Sequence, residues 1–388
     1  MSSLKVLDST YIANTYARFP VEIVSGKGSL LTDSEGREYI DMGSGIAVTS
    51  FGIADEEWAA AVTSQLNKVQ HTSNLYYTEP CAALAQMLCE RTGMKKVFFG
   101  NSGAEANECA IKAARKYAAQ KKGAETFTIV TLKNSFHGRT LTTLAATGQE
   151  HYHELFQPLT PGFAHVEAGD MAALEALAEK TKIAAVMIEC IQGEGGVIPL
   201  DSAYVRALAD FAKARDILLI VDEVQTGNGR TGALYAYMNY GIQPDIVTTA
   251  KGLGGGLPIG AALLGEKVQD VFQPGDHGST FGGNPVCCAG AISVLSRIDE
   301  ALLASVREKG AYVKNALAGA PGVEFVRGMG LMLGIKTEKP AARVIARLRE
   351  KGVLCLTAKD CVRLLPALNI PMDILRRAVQ AIREVCAE

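Results

Sequence analysis

The sequence predicts an α/β fold in which a mostly parallel sheet forms a large domain and a smaller α+β domain follows it. Between about residues 55 and 275, short apolar runs such as residues 217–221 alternate with stretches of helical periodicity. The runs are almost continuously apolar, which indicates burial on both faces and therefore a largely parallel sheet. A length of 388 residues also exceeds what one hydrophobic core usually serves, so we expect two domains.

Residues 1–50 are predicted to form an amino-terminal segment that packs with the small domain. The alternation within residues 21–24 and 30–33 predicts two strands, and a turn at residues 33–36 leads to a third strand at 38–41. No linker and no internal repeat separates this segment from the chain that follows.

Residues 51–275 are predicted to form the large domain, in which helices alternate with buried strands. The predicted helices cover residues 56–69, 80–91, about 103–118, 171–179 and 202–214. The predicted strands cover residues 96–99, 127–132, 184–188, 217–221 and 246–249.

Residues 276–388 are predicted to form the small α+β domain, because the regular alternation of helices and buried strands stops there. The stretch 286–318 is predicted to be helical, with a candidate break before Ala301. Further strands are predicted at residues 323–326, 331–335, 353–356 and 362–365, and further helices at 341–351 and 372–385.

The composition is that of an ordinary globular protein, with 48% hydrophobic and 21% charged residues. A net charge of -2 gives no reason to expect nucleic acid or an anionic membrane as a partner. The amino terminus lacks the apolar segment of a signal peptide, and the apolar runs are too short to span a bilayer. The nine cysteines form no C-x-x-C pair, so we expect neither a disulfide framework nor a zinc site, and a reduced cytoplasm fits best.

Lys251 follows the buried run 246–249 and precedes a glycine-rich loop over residues 252–260. A lysine at the end of a buried strand loses solvation, which lowers its pKa and makes the amine a nucleophile toward a carbonyl or pyridoxal phosphate. The glycines would keep the loop from crowding such a ligand. A surface lysine that opens a flexible loop is the alternative.

Asp222 directly follows the apolar run 217–221, where a carboxylate needs a cationic or hydrogen-bonding partner. A protonated pyridine nitrogen is one such partner, and a structural salt bridge is the alternative. Asp222 for a ring nitrogen and Lys251 for an aldehyde are the two protein groups that pyridoxal phosphate chemistry requires. Since ligands of open parallel sheets bind beyond the carboxyl ends of the strands, we expect both residues at one site.

Other strand ends carry groups that suit the same ligand. Ser102 begins a helix after the strand 96–99, and the free N–H groups there suit a phosphate, although Ser102 and Glu105 also have the spacing of a capping box. Phe136 and Arg139 follow the next strand, where a ring can stack on a heterocycle and a guanidinium can bind a carboxylate. A packed phenylalanine and a surface arginine are the commoner case.

Two other carboxylates and two other motifs are less specific. Glu189 and Glu194 lie around one strand end, and one of them could be only a turn residue. Residues 227–232 match G-x-G-x-x-G, which would suit a nicotinamide-dependent dehydrogenase, but no clear amphipathic helix and no appropriately spaced acid follow. His151 and His153 could suggest a metal, but no third ligand is patterned nearby, so we expect solvated loop histidines.

Together these motifs resemble the class III (subgroup II) pyridoxal-phosphate aminotransferases over nearly the whole chain. The matching stretches are residues 71–77, 101–108, 136–139, 189–196, 222–227, 251–252, 278–285 and 363–370. The resemblance implies fold type I of the pyridoxal-phosphate-dependent transferases, with a seven-stranded type of sheet in the large domain, and pyridoxal 5'-phosphate as cofactor. A cofactor-bound regulator is a further alternative, but the chain has no spare length for a DNA-binding module.

The resemblance implies which residues bind the cofactor. Lys251 would hold it covalently and move the substrate proton, and Asp222 would keep its ring nitrogen protonated. Thr280 would reach the phosphate of the neighbouring subunit, which implies a homodimer. The full implied set is Ser102, Gly103, Ala104, Phe136, Asp222, Val224, Gln225, Lys251 and Thr280.

The resemblance also implies which residues bind the substrates, namely Arg139, Glu194, Ser279 and Arg363. Arg139 would bind the carboxylate remote from the reacting amine, and Arg363 the α-carboxylate of glutamate or 2-oxoglutarate. Glu194 would neutralise Arg363 when the substrate has no carboxylate beside its amine, because an unpaired buried arginine is costly.

The implied substrates are an acylated ornithine and 2-oxoglutarate. Gly45 and Ile46 stand where an ornithine-preferring relative would have a bulkier aromatic residue, which favours an acylated donor. Succinylornithine, N-succinyl-diaminopimelate, ornithine and 4-aminobutyrate remain open as alternative donors.

Overall fold

The computed structural model describes residues 3–388. Met1 and Ser2, which belong to the predicted 1–50 segment and to the amino terminus that lacks a signal-peptide pattern, lie outside the described residues. The helices are α1 (Ser3–Tyr11), α2 (Ser44–Ala47, a single turn with left-handed backbone), α3 (Glu56–Leu66), α4 (Glu79–Thr92), α5 (Gly103–Lys122), α6 (Leu141–Ala146), α7 (Met171–Lys180), α8 (Ser202–Ala214), α9 (Pro285–Ser296), α10 (Glu300–Leu317), α11 (Ala341–Glu350) and α12 (Met372–Ala387). The strands are β1 (Ile23–Lys27), β2 (Leu30–Asp33), β3 (Glu38–Asp41), β4 (Lys96–Gly100), β5 (Thr128–Leu132), β6 (Phe163–Val166), β7 (Ile183–Ile188), β8 (Ile191–Gln192), β9 (Ile198–Pro199), β10 (Leu218–Asp222), β11 (Ile246–Thr249), β12 (Gly260–Leu264), β13 (Val323–Met329), β14 (Met332–Thr337), β15 (Val353–Leu354), β16 (Leu356–Ala358) and β17 (Cys361–Leu364).

The large sheet has seven strands in the order β4-β12-β11-β10-β7-β5-β6. β12 is antiparallel to both of its neighbours, and the other pairings are parallel. This confirms the predicted α/β class and the mostly parallel sheet. The sequence prediction missed β12, which contains no β-branched residue, and β6, which is only partly buried.

Both faces of the large sheet are covered, as continuous apolar strands require. Leu218 and Ile220 of β10 pack in one cluster with α5, whereas Leu219 and Val221 pack in a second cluster with α4, α8 and α9. Successive residues of a strand point to opposite faces, so the two clusters lie on the two sides of the sheet.

The carboxyl-terminal part has its own core around the sheet β13-β14-β17-β16 and the helices α10, α11 and α12. The amino-terminal hairpin joins it, because β3 pairs in parallel with β15. The stretch 286–318 is divided into α9 and α10, and Asp299 caps α10 by accepting from Leu302 N. The boundaries 50/51 and 275/276 stay a prediction; the packing of α9 against α3 and α4 favours placing the second boundary after α9.

Candidate active site

A cavity of about 540 Å³ opens at the carboxyl-terminal edge of the large sheet. Side chains from the ends of β4, β5, β10 and β11 meet there, as expected for an open parallel sheet. The predicted site residues in its wall are Ser102, Gly103, Ala104, Phe136, Arg139, Asp222, Val224, Gln225 and Lys251. Arg363 and Glu194 contact the wall residue Gln225, whereas Ser279 and Thr280 lie outside the wall.

Asp222 is buried at the last position of β10, and both oxygens of its carboxylate accept hydrogen bonds. Oδ1 accepts from Val224 N at 3.0 Å, and Oδ2 accepts from Asn107 Nδ2 at 2.8 Å. His137 Nδ1 lies 2.8 Å from Oδ2. Because an ionised carboxylate only accepts hydrogen bonds, we assign the imidazole proton to Nδ1.

Asn107 and His137 are site residues that the sequence reasoning missed. Asn107 donates to the His137 carbonyl as well as to Asp222, and its own oxygen accepts from Thr248 Oγ1 at 2.6 Å. A buried asparagine on the apolar face of α5 is the signal that could have identified it, since buried polar groups need partners. His137 Nε2 is buried and has no hydrogen-bond partner among the described residues.

Lys251 follows β11 and begins a short 3-10 turn with a φ of 47°. A left-handed backbone is costly for a residue with a side chain and tends to occur at functional sites. Burial is the main influence on the amine and lowers the pKa of Lys251, although the charges of Glu194 and Asp222 act in the opposite direction. A lowered pKa leaves more of the amine unprotonated at neutral pH, as a nucleophile requires.

The glycines after Lys251 permit close contacts within the protein. A Cβ at Gly254 would lie 2.1 Å from the Leu257 carbonyl oxygen, and one at Gly252 would lie 2.8 Å from Ser50 Oγ. The sequence reasoning attributed these glycines to space for a ligand. For Gly252 and Gly254 the structure gives a different reason, which is the close packing of neighbouring chain segments.

The start of α5 forms part of the cavity wall. Ser102 Oγ accepts from Glu105 N at 3.2 Å, so the capping alternative is present. The first N–H groups of a helix have no partner within it, and those of Gly103 and Ala104 lie at the cavity wall, where they suit an anion. A Cβ at Gly103 would lie 2.6 Å from Val224 Cγ1, so only glycine permits Val224 to pack against the helix start.

Phe136 and Arg139 form an aromatic and cationic group together with Tyr152. The rings of Phe136 and Tyr152 meet edge to face at 5.7 Å between centroids. The Arg139 guanidinium carbon lies 5.3 Å from the Tyr152 centroid and 6.0 Å from that of Phe136. Arg139 itself is exposed, so it is available to a carboxylate. Tyr152 ends the three-residue 3-10 turn Glu150–Tyr152, which is too short for sequence periodicity to indicate.

Arg363 and Glu194 form an ion pair beside the cavity. Arg363 is 3% exposed on β17, and its Nη1 donates to Glu194 Oε1 at 2.5 Å and to Gln225 Oε1 at 3.1 Å. Gln225 Nε2 also donates to Glu194 Oε1 at 3.2 Å. Burial alone would raise the pKa of Glu194, but the charge and hydrogen bond of Arg363 outweigh it and hold that pKa below its usual value.

Glu189, the other carboxylate of this region, accepts hydrogen bonds from the backbone of two loops. It accepts from the backbone N–H of Phe136 at 2.9 Å and of Gly193 at 3.2 Å. Burial raises the pKa of Glu189 to about 7. It therefore ties the loop that carries Phe136 to the loop that carries Glu194.

The G-x-G-x-x-G stretch and the histidine pair, which the sequence left open, make contacts within the protein. The stretch 227–232 is followed by the 3-10 turn Ala236–Tyr240, and its buried Arg230 donates to the carbonyl oxygens of Leu331 and Pro366. His153 is half-buried with Nε2 2.8 Å from the Leu144 carbonyl oxygen, so the expectation of a solvated histidine is wrong there.

Ser279 and Thr280 lie in a loop next to the segment around Asn74. Ser279 Oγ accepts from Asn101 Nδ2 at 3.1 Å, and Asn74 Nδ2 donates to the Ser279 carbonyl at 3.0 Å. Thr280 is exposed, which leaves its hydroxyl accessible to another molecule.

None of the helices within residues 3–388 combines the length and the apolar character needed to cross a membrane.

Comparisons with known proteins agree on one family. The family model described as aminotransferase class-III matches residues 11–386. The chain is 49% identical over 387 residues to the acetylornithine aminotransferase of Haemophilus ducreyi, covering 99% of this chain and 98% of that protein. It is 45% identical over 378 residues to the acetylornithine aminotransferase of Aquifex aeolicus, covering 97% of this chain and 100% of that protein.

Solved structures show the same fold. The N-acetylornithine aminotransferase from Stenotrophomonas maltophilia has a TM-score of 0.85 and 35% identity, with 98% of each chain covered. The ornithine aminotransferase from Toxoplasma gondii, whose active site holds pyridoxal phosphate at partial occupancy, has a TM-score of 0.94 and 32% identity. That match covers 99% of this chain and 94% of the other.

Proposed function

The chain belongs to the class-III aminotransferase family, and on that premise we propose that it transfers the δ-amino group of N2-acetylornithine to 2-oxoglutarate. The products are N-acetylglutamate 5-semialdehyde and glutamate, and the reaction is a step of arginine biosynthesis. The acetylornithine aminotransferases that match this chain at 43–49% identity over nearly its full length support this substrate.

Pyridoxal 5'-phosphate is the cofactor of this family, and the residues of the cavity fit it. The cavity combines an amine of lowered pKa at Lys251, a buried carboxylate at Asp222, a ring at Phe136 and a helix start at Gly103. When bound, the cofactor supplies an aldehyde that accepts the amino group and a ring that withdraws electrons.

The protein residues supply attachment and proton transfer. Lys251 would hold the cofactor and then remove and return the proton of the substrate carbon that carries the amine. Asp222, fixed by Asn107 and His137, would keep the proton on the ring nitrogen. The start of α5 would bind the phosphate through its free N–H groups.

The observation that carries the two-substrate chemistry is the ion pair between Arg363 and Glu194. An enzyme that works by alternating half-reactions must first accept an amine on a methylene carbon, which carries no carboxylate. It must then accept an amino acid whose amine stands beside an α-carboxylate. Glu194 would neutralise Arg363 in the first case and leave it in the second, so a buried arginine is never left unpaired. Arg139 would bind the carboxylate remote from the reacting amine in both cases.

Replacement of each arginine tests this division. Arg139→Ala is expected to lower kcat/KM in both half-reactions. Arg363→Ala is expected to lower it mainly in the glutamate half, by about 10²-fold, since losing a buried charge partner costs roughly 3 kcal/mol. Single-turnover measurement of each half with the holoenzyme shows the split, and the exposed Arg376→Ala is the matched control. Equal losses from Arg363→Ala in both halves would contradict the separate roles.

Ornithine is the second candidate donor, because the Toxoplasma gondii ornithine aminotransferase has the higher TM-score of the two structures compared. A TM-score reports the backbone path, whereas donor choice depends on side chains. Steady-state kinetics with 2-oxoglutarate and a panel of acetylated, succinylated and free ω-amines distinguish the candidates. We expect the highest kcat/KM with N2-acetylornithine, and a preference for free ornithine would overturn the proposed substrate.

We also propose a homodimer in which Thr280 reaches the phosphate site of the partner. Support comes from the exposed apolar residues that surround the Thr280 loop. Leu75 is 86% exposed, Tyr77 is fully exposed, and Phe281 is 59% exposed. The His71 and Phe281 rings lie 5.2 Å apart, and Asn74 Nδ2 donates to the carbonyl oxygens of Ser279 and Gly282, so the segment 71–77 lies against the Thr280 loop. An exposed apolar patch of this kind is typical of an interface.

Thr280→Val is expected to weaken cofactor binding about tenfold, because one phosphate hydrogen bond is lost while the side-chain volume is kept. Titration of the apoenzyme with cofactor measures the affinity, light scattering measures the mass, and the exposed Thr63→Val is the control. A monomer, or an unchanged affinity in a dimer, would refute the shared phosphate site.

The proposed location is the cytoplasm. The nine cysteines are all free thiols, as a reducing compartment allows. Fractionation of cells with an antibody to the chain tests this location.

A further inference from the structure

Two arginines of the small domain lie in one row across its sheet. Arg327 of β13 is paired with Gly334 of β14, and Gly334 is paired with Arg363 of β17. Directly opposite residues on neighbouring antiparallel strands project from the same face. Arg327 and Arg363 therefore flank a glycine on the face that meets the large domain.

The large-domain loop 193–197 is docked across this row. Arg363 binds the carboxylate of the loop residue Glu194, with 2.5 Å between Arg363 Nη1 and Glu194 Oε1. Arg327 binds the backbone of the loop, because its Nε and Nη2 donate to the Gly196 carbonyl oxygen at 3.1 and 2.8 Å. A Cβ at Gly334 would lie 2.9 Å from Val197 Cβ, so the glycine makes room for the loop.

The loop keeps a backbone conformation that it would not adopt by itself. Val197 is fully buried with a φ of 58°, and Gly196 has a φ of 118°. A left-handed backbone is a rare outlier for a β-branched residue and persists only where the surroundings impose it. Val197 packs with Met332 and Leu365 of the small domain, which supplies part of that constraint.

We propose that Arg327 is a positioning residue that anchors the Glu194 loop during the exchange of partners on Arg363. The inference rests on the proposed two-substrate function. Arg327 binds a backbone carbonyl, so its contact does not change when a substrate carboxylate displaces Glu194. Only the Glu194 side chain then has to move, and it returns to the same place in each cycle.

The anchor should matter unequally to the two half-reactions. The acetylornithine half needs Glu194 seated on Arg363, whereas the glutamate half needs Glu194 displaced. A loosened loop holds Glu194 less firmly, which disfavours the first state and does not hinder the second. Arg327 would thus set the balance between the two substrates without touching either.

Single-turnover measurement of both half-reactions with holoenzyme variants tests the proposal. Arg327→Met is expected to lower kcat/KM about tenfold in the acetylornithine half, since two hydrogen bonds are lost, and less than about twofold in the glutamate half. Arg327→Lys keeps the charge and one donor and should restore part of the loss. Arg376→Met, an exposed arginine of the same domain, is the matched control.

Gly334→Ala provides a second, independent variant that spares the Arg327 side chain. Its Cβ would press on Val197 and lift the loop, so the same unequal loss is expected. Equal losses in both halves for either variant would indicate a merely structural role and overturn the proposal, as would unchanged kinetics. Failure of the unmodified enzyme to use N2-acetylornithine would instead refute the proposed function.

Discussion

Lys251→Ala is expected to lower kcat for transamination by at least about 10⁴-fold, the upper range for loss of a general acid–base group. The substitution removes both the amine that would hold the cofactor and the base that would move the substrate proton. No other lysine lines the cavity within the described residues. The fold should persist, because the backbone hydrogen bond that Gly254 N donates to the Lys251 carbonyl oxygen does not depend on the side chain.

Steady-state kcat and the visible absorbance of the purified protein measure this effect together. The absorbance band of cofactor bound covalently to the lysine should disappear, while the thermal unfolding temperature stays close to that of the unmodified protein. Lys213→Ala on the exposed side of α8 is the control and should leave kcat unchanged. Retention of more than about a hundredth of the activity would assign the amine to another residue.

Asp222→Asn is expected to lower kcat by about 10³-fold, within the range found when a charge-stabilising group is removed from a catalytic site. The amide keeps the size of the side chain but removes the negative charge that would hold a proton on the ring nitrogen. Asn107 and His137 both direct a donor at Asp222, so their hydrogen bonds would also be disturbed.

A pH titration of the bound cofactor's spectrum, followed alongside kcat, tests this second prediction. The unmodified protein should keep one ring protonation state across neutral pH, whereas Asp222→Asn should not. The control is Asp270→Asn, which breaks an exposed ion pair with Lys96. A variant with normal kcat and a normal spectrum would show that Asp222 has only a structural role.

The strand-end residues could be predicted because position along a buried strand determines the edge at which a side chain emerges. Asp222 ends β10 and Lys251 closely follows β11, and these two strands are adjacent and parallel. The sequence alone therefore predicted that they share a site. Ser102 was predicted in the same way, from the strand that precedes α5.

The supporting residues could not be predicted, because their roles depend on contacts between distant segments. Asn107 reaches Asp222 across 115 positions of the chain. Arg327 reaches Gly196 across 131 positions, and nothing in either local sequence marks the contact. β12 was missed because burial between β4 and β11, rather than strand propensity, stabilises it.

The most direct test of the site is reduction of the holoenzyme with borohydride, followed by digestion and mass spectrometry of the peptides. We expect the cofactor to be fixed on Lys251 alone, and prior incubation with N2-acetylornithine to prevent the labelling by releasing the lysine. A label on a different lysine, or full transaminase activity with no cofactor label at Lys251, would contradict the assignment of the site.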